Sequence, residues 1–253
     1  MKLKNLSFVL FPLMLLSAVF IAGCDDSGVT PENPPAGSYP DIQFKPGAVY
    51  YFNTDTISQS GTYYRLRWRT TETIQAQTTF NGRTCYPVNS ITQDTGIPII
   101  TIRSSTDYYS YSQTEGKFYQ WGAKKLIDTN QVASWDLVAD FTQPLGTEIA
   151  LYTISNLFGQ PLLSANVKSR VIIDTVVVTI ASGVTVNCYR VSLRAEIVLS
   201  GIPLGNAYID YYIGYASSST NPSGRVRTKF YPLNLTVARV SGVDQRLNRF
   251  TIP

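Results

Sequence analysis

The chain has 253 residues, with 21 basic and 17 acidic side chains, 15% charged residues, 12% aromatic residues and no histidine. The missing histidine removes the commonest general base and the commonest metal ligand together. The formal charge of +4 includes Lys2 and Lys4 at the very start, so the rest of the chain gives no reason to expect nucleic acid or an acidic partner.

Lys2 and Lys4 precede an apolar stretch that ends in Ile21-Ala22-Gly23-Cys24. A basic start, an apolar core and small residues before a break form the layout of a secretory signal. Leu6 to Gly23 is long enough for a marginal membrane-spanning helix, but Pro12 and the Ala22-Gly23 break favour cleavage. Small residues ending on a cysteine resemble the lipobox of bacterial lipoproteins. The resemblance covers residues 1–24 alone. It implies removal of residues 1–23, a diacylglyceryl group on the Cys24 sulfur and acylation of the new amine. The protein would then be anchored in a bacterial cell envelope through lipid on Cys24, facing the periplasm or the cell surface. Taking 23 residues from 253 leaves 230, and taking Lys2 and Lys4 from 21 basic residues leaves 19 against 17 acidic. Such a length buries the core of one large β domain or two small ones.

Residues 24–43 are a different material. Pro31, Pro34, Pro35 and Pro40 stand among Ser27, Gly28, Gly37 and Ser38, with few large apolar side chains. That composition predicts a disordered tether reaching roughly 60 Å from the membrane. The acidic pair Asp25-Asp26 resembles both an inner-membrane retention signal and the acidic residues that accompany surface export in other bacteria.

The body repeats itself. Cys85-Tyr86-Pro87-Val88 returns as Cys188-Tyr189-Arg190-Val191, and Asp107-Tyr108-Tyr109 returns as Asp210-Tyr211-Tyr212, both 103 positions later. Two matches at one offset predict two tandem units, 44–140 and 141–253. In the first, Tyr64, Leu66 and Trp68 alternate with Arg65, Arg67 and Arg69, a strand with one apolar and one basic face. Asn81-Gly82 predicts a tight hairpin. Lys124 to Phe141 is the only candidate helix, with poor apolar spacing. In the second unit, Val171–Ile180 and the alternating Val191–Leu199 predict strands joined by a turn at Ala181-Ser182-Gly183. Ile209–Tyr215, Arg225–Phe230 and Leu235–Val240 complete the series. The fold class is all-β: antiparallel meanders in curved or sandwiched sheets, two tandemly duplicated units after a disordered tether.

Two readings of Cys85 and Cys188 stay open. A disulfide would close a long loop and stabilise by about 4 kcal/mol in the chain-entropy model. Otherwise each is a small buried hydrophobe. Signatures of catalysis are missing: no zinc spacing, no calcium loop joining Asp55, Asp94, Asp107, Asp128, Asp136, Asp140 and Asp210, no phosphate loop and no Ser-x-x-Lys. The sequence therefore predicts no catalytic residue, cofactor or metal, and a non-catalytic module for binding or envelope structure. Its partners would be the membrane and an envelope protein, glycan or lipid. Candidate contacts are Arg65, Arg67 and Arg69, which suit an anionic group or form only the wet face of a strand. Tyr109 and Tyr212 suit a sugar or fill a core. A carrier for an apolar ligand in a curved-sheet cavity is the second reading. A glycan-active enzyme using paired carboxylates is the third.

Overall fold

A computed structural model describes residues 39–95, 100–180, 182–215, 221–235 and 239–253, without the side chains of 65–67, 173 and 174. The signal, Cys24 and the tether as far as Ser38 lie outside the described residues. The first half of the body contains β1 (Val49–Ile57), β2 (Tyr63–Ile74), β3 (Thr78–Phe80), β4 (Arg83–Asp94), β5 (Ile100–Ser112), β6 (Lys117–Trp121) and β7 (Trp135–Asp140). The second contains β8 (Ile149–Ile154), β9 (Leu163–Thr179), β10 (Thr185–Leu199), β11 (Ile202–Gly214) and β12 (Gly224–Phe230). It ends with β13 (Leu233–Asn234), β14 (Arg239–Val240) and β15 (Gly242–Thr251). No helix among the described residues is long and apolar enough to cross a membrane.

The large sheet is antiparallel throughout and runs β7-β6-β5-β4-β2-β1-β15-β12-β11-β10-β9-β8, with β3 folded back on β4. This is a meander that rolls up nearly to a barrel, because β1 pairs with β15 and so joins the two halves. Its outer strands β7 and β8 share no ladder. At that seam the Ser169 hydroxyl on β9 donates to the Val138 carbonyl on β7 at 2.6 Å, and Val138 and Ala139 are fully buried. The all-β, antiparallel, curved-sheet expectation holds.

Local sequence explains the strands. Along β10, Val186, Cys188, Val191, Leu193, Ala195 and Ile197 are buried, the period-2 pattern of a strand with one face on the core. Asn81 and Gly82 take positive φ values of 45° and 75°, so Phe80 pairs with Arg83 across a two-residue turn. One interior cluster joins Phe52, Phe118, Val191 and Leu247, among others. A second gathers Ile154, Leu157, Ile197, Leu233 and Leu235.

Four expectations change. Residues 40–43 belong to the packed body: Ile42 and Phe44 are buried, Phe44 stacks on Tyr86 at 5.1 Å, and the Tyr111 hydroxyl donates to the Pro40 carbonyl at 2.6 Å. Those apolar side chains are what the rest of the segment lacks. Lys124–Phe141 is not a helix but a single 3₁₀ turn, Ala123–Leu126, followed by β7. Gly122 before it is left-handed at φ 72°, and the alternating residues of β7 are held by pairing with β6. Of the expected strand Leu235–Val240, residues 236–238 lie outside the described residues, and Arg239–Val240 forms β14, which pairs with β13 rather than with the large sheet. Cys85 and Cys188 form no bridge and are buried free thiols. They sit on β4 and β10 with five strands between them, while a disulfide needs Cα atoms within about 7 Å.

Candidate binding chamber

Seven strands, β2, β4, β5, β6, β11, β12 and β15, turn polar side chains toward a cavity of about 280 Å³. The alternation of β2 puts Thr70 and Glu72 on its wall, and that of β4 adds Ser90 and Thr92. On β5 the same rule presents Arg103, Ser105, Asp107 and Tyr109 in a row. Gln120, Tyr211, Arg225 and Gln245 reach it from the other side.

Its floor is a buried ion pair between Glu72 and Arg225, with Glu72 only 4% exposed. Burial pushes the Glu72 carboxyl up, and the attraction of Arg225 offsets this only in part. Arg225 lies over the Phe52 ring at 4.8 Å and donates to Gln245 Oε1 at 2.5 Å and to the Thr228 hydroxyl at 3.3 Å. Gln245 Nε2 in turn donates to the Thr70 hydroxyl at 3.1 Å, which meets the Thr92 hydroxyl at 2.9 Å. The Tyr211 hydroxyl donates to Gln120 Oε1 at 3.4 Å. Burial raises the Tyr109 and Tyr211 hydroxyls above the usual tyrosine range, so both rings stay neutral donors.

The sequence candidates fall unevenly around this chamber. Tyr109 lines it. Tyr212, its counterpart at the 103-residue offset, faces away with the Arg227 guanidinium 5.0 Å from its ring, and Tyr211 takes the inward place. The register explains the swap: Val88 pairs with Asp107, whereas Val191 pairs with Tyr211 rather than Asp210. A one-residue slip exchanges the two faces of a strand. Arg69 is exposed and, one position from Thr70, points away from the chamber. The side chains of Arg65 and Arg67 lie outside the described residues. Trp68 is 41% exposed and Tyr64 57%, so these two members of the strand's apolar face stand largely in solvent. Nothing in the local sequence marks Glu72, Gln120, Arg225 or Gln245. No motif joins residues 72 and 225; only the sheet's closure does.

Away from the chamber, other charges pair across strands. Asp244 accepts two bonds from Arg227 at 2.8 and 2.6 Å. Asp210 accepts two from Arg190 at 3.0 and 2.7 Å and one from the Tyr231 hydroxyl at 2.8 Å. Both carboxylates are buried, so these charges hold the sheet rather than wait for a ligand.

No protein-family model matches the chain, and no curated protein matches it in sequence. Two solved structures share its fold. One is a protein assigned as a lipoprotein from Parabacteroides distasonis ATCC 8503, with a TM-score of 0.50 at 12% identity, over 84% of this chain and 99% of the other. The other is a protein from Bacteroides fragilis NCTC 9343, assigned as exported with a YmcC-like fold, with a TM-score of 0.50 at 14% identity and the same coverage. At these identities the likeness is one of fold: a nearly closed antiparallel sheet that also occurs in proteins named as a lipoprotein and as an exported protein.

Proposed function

We propose that this chain is a lipid-anchored lipoprotein of the bacterial cell envelope whose β body is a non-catalytic binding module. The carrying observation is the apolar leader that ends in Ile21-Ala22-Gly23-Cys24 after Lys2 and Lys4. The names of the two structural neighbours agree with it. Binding is favoured over a purely structural role by the chamber, where a cavity opens among polar groups that a scaffold would fill with apolar side chains. Its charged lining favours a polar ligand over an acyl chain, since an apolar guest would strip water from Glu72, Arg225 and Asp107 without replacing their bonds.

The anchor is tested by mass. Protein purified from the membranes of a bacterial host is expected to begin at Cys24 and carry lipid there, and Cys24→Ser should leave it unlipidated. A membrane-fraction protein with an unmodified Cys24 would refute the anchor.

A further inference from the structure

We infer that the chamber binds one unit of a neutral saccharide, with Trp68 at its mouth as the platform for a second unit. The inference rests on the binding-module reading above and adds the ligand's chemistry.

Charge comes first. Arg103 and Arg225 on the lining balance Glu72 and Asp107, so the chamber offers no net attraction to an anion or a cation. An α-zwitterion also fits poorly: Arg225 is already paired with Glu72, and Arg103 stands four residues from Asp107 on β5, about 13 Å between their Cα atoms. A neutral, densely hydroxylated molecule uses donors and acceptors together and needs neither charge balance nor long reach.

The unspent groups match that demand. Asp107 on the lining neither accepts a hydrogen bond nor forms an ion pair among the described residues. Arg225 Nε is buried without a partner, although its two terminal nitrogens bond Glu72, Gln245 and Thr228. The Tyr109 ring is 4% exposed and its hydroxyl has no protein partner among the described residues. Gln120 spends only its oxygen, on Tyr211, and keeps its amide donors. Planar carboxylate, guanidinium and carboxamide groups can each contact two adjacent hydroxyls. A volume of about 280 Å³ is at the lower edge of small-molecule sites, suited to one sugar ring. Trp68 follows Thr70 by one strand period toward the exposed end of β2, and it is 41% exposed. In the proposed site its indole is the outer platform.

The test uses the full chain in detergent micelles. A panel of neutral oligosaccharides is screened, free in solution and again as glycolipids in vesicles, with palmitate and inorganic phosphate as the competing chemistries. The best hit is then measured by calorimetry, and the incubated sugar is checked for cleavage. Binding of a neutral sugar is expected, weakened about tenfold or more by Asp107→Asn, Tyr109→Phe and Trp68→Ala. Trp68→Ala removes a ring that is 41% exposed, so it should destabilise the protein least of the three, and the thermal midpoint measured beside its binding separates a loss at the site from a loss of fold. Weakening confined to the vesicle arm would identify the lipid-linked form as the ligand. No sugar binding by folded protein, binding indifferent to all three substitutions, or binding of palmitate or phosphate instead would overturn the inference and leave the lipid anchor standing. Cleavage of the sugar would keep the site and overturn the non-catalytic reading, since Glu72 and Asp107 are two carboxyls on one chamber.

Discussion

Asp128 is 2% exposed and yet its carboxyl lies below the usual range. Burial pushes it up, but the Asn130 N–H at 3.0 Å, the Gln131 amide at 3.0 Å and the Phe158 N–H at 2.8 Å all donate to it and outweigh that cost. A carboxylate with a depressed folded pKa stabilises the fold above its unfolded value, near 3.9, and that stabilisation is lost as pH falls through the folded value. Asp128→Asn is therefore expected to cost about 1–3 kcal/mol at pH 7. Denaturant melts at pH 7 and pH 3 should show the gap to the parent narrowing in acid; an unchanged gap would contradict this account. Glu72 has the opposite sign. Its carboxyl is raised by burial, so its contribution is most favourable in acid and declines as pH climbs above the unfolded value near 4.3. Similar residue types thus play opposite parts according to the number of donors that reach them.

At the scale of elements, residues 39–48 act as a packed strap. Ser223 accepts from the Gln43 N–H at 2.8 Å and donates to the Gly214 carbonyl at 3.2 Å, while its own carbonyl accepts from the Tyr50 hydroxyl at 2.9 Å. One serine therefore ties the strap, β1 and β11 together. Gly116 supports the same docking. It sits at φ 63°, and a Cβ there would come within 2.9 Å of the Tyr39 ring. Phe44→Ala should cost about 3–5 kcal/mol, as for other buried aromatic truncations. A tether that merely hangs beside the body would cost nearly nothing, so a denaturant midpoint separates the two. The hairpin at Asn81-Gly82 was legible in the sequence because a two-residue turn is a local event. The strap was not, since Phe44 and Gln43 stand beside a Pro-rich stretch and find their partners, Tyr86 and Phe118 for the ring and Ser223 for the Gln43 N–H, only in the folded body.

Over the whole molecule, the sheet's closure keeps the thiols apart. Burial pushes Cys188 up to about 12 and raises Cys85 as well, so neither is reactive while folded. Unreduced protein should titrate two thiols per chain after denaturation, Cys85 and Cys188, and almost none before. No thiol after denaturation would mean a bridge and a different strand arrangement. The two motif pairs do occupy like positions in the meander, since β4 and β10 are each the third strand of their half of the path and β5 and β11 the fourth. The match stops at side-chain direction. The slipped pairing turns Tyr211 inward where the offset alone points to Tyr212, and so the chamber has no twin built from the same residues.

The sequence by itself determined the strand-rich class, the Asn81-Gly82 turn, the absence of histidine chemistry and the apolar stretch that runs up to Cys24. Each depends on neighbours a few residues apart, through period-2 alternation, turn preference or composition. Only the tertiary structure decided which polar side chains share a chamber, because Glu72 and Arg225 are 153 positions apart and meet through the pairing of β1 with β15. Which way each side chain faces depends on register to the single residue, and register is set by packing across the whole roll rather than by any short stretch of chain.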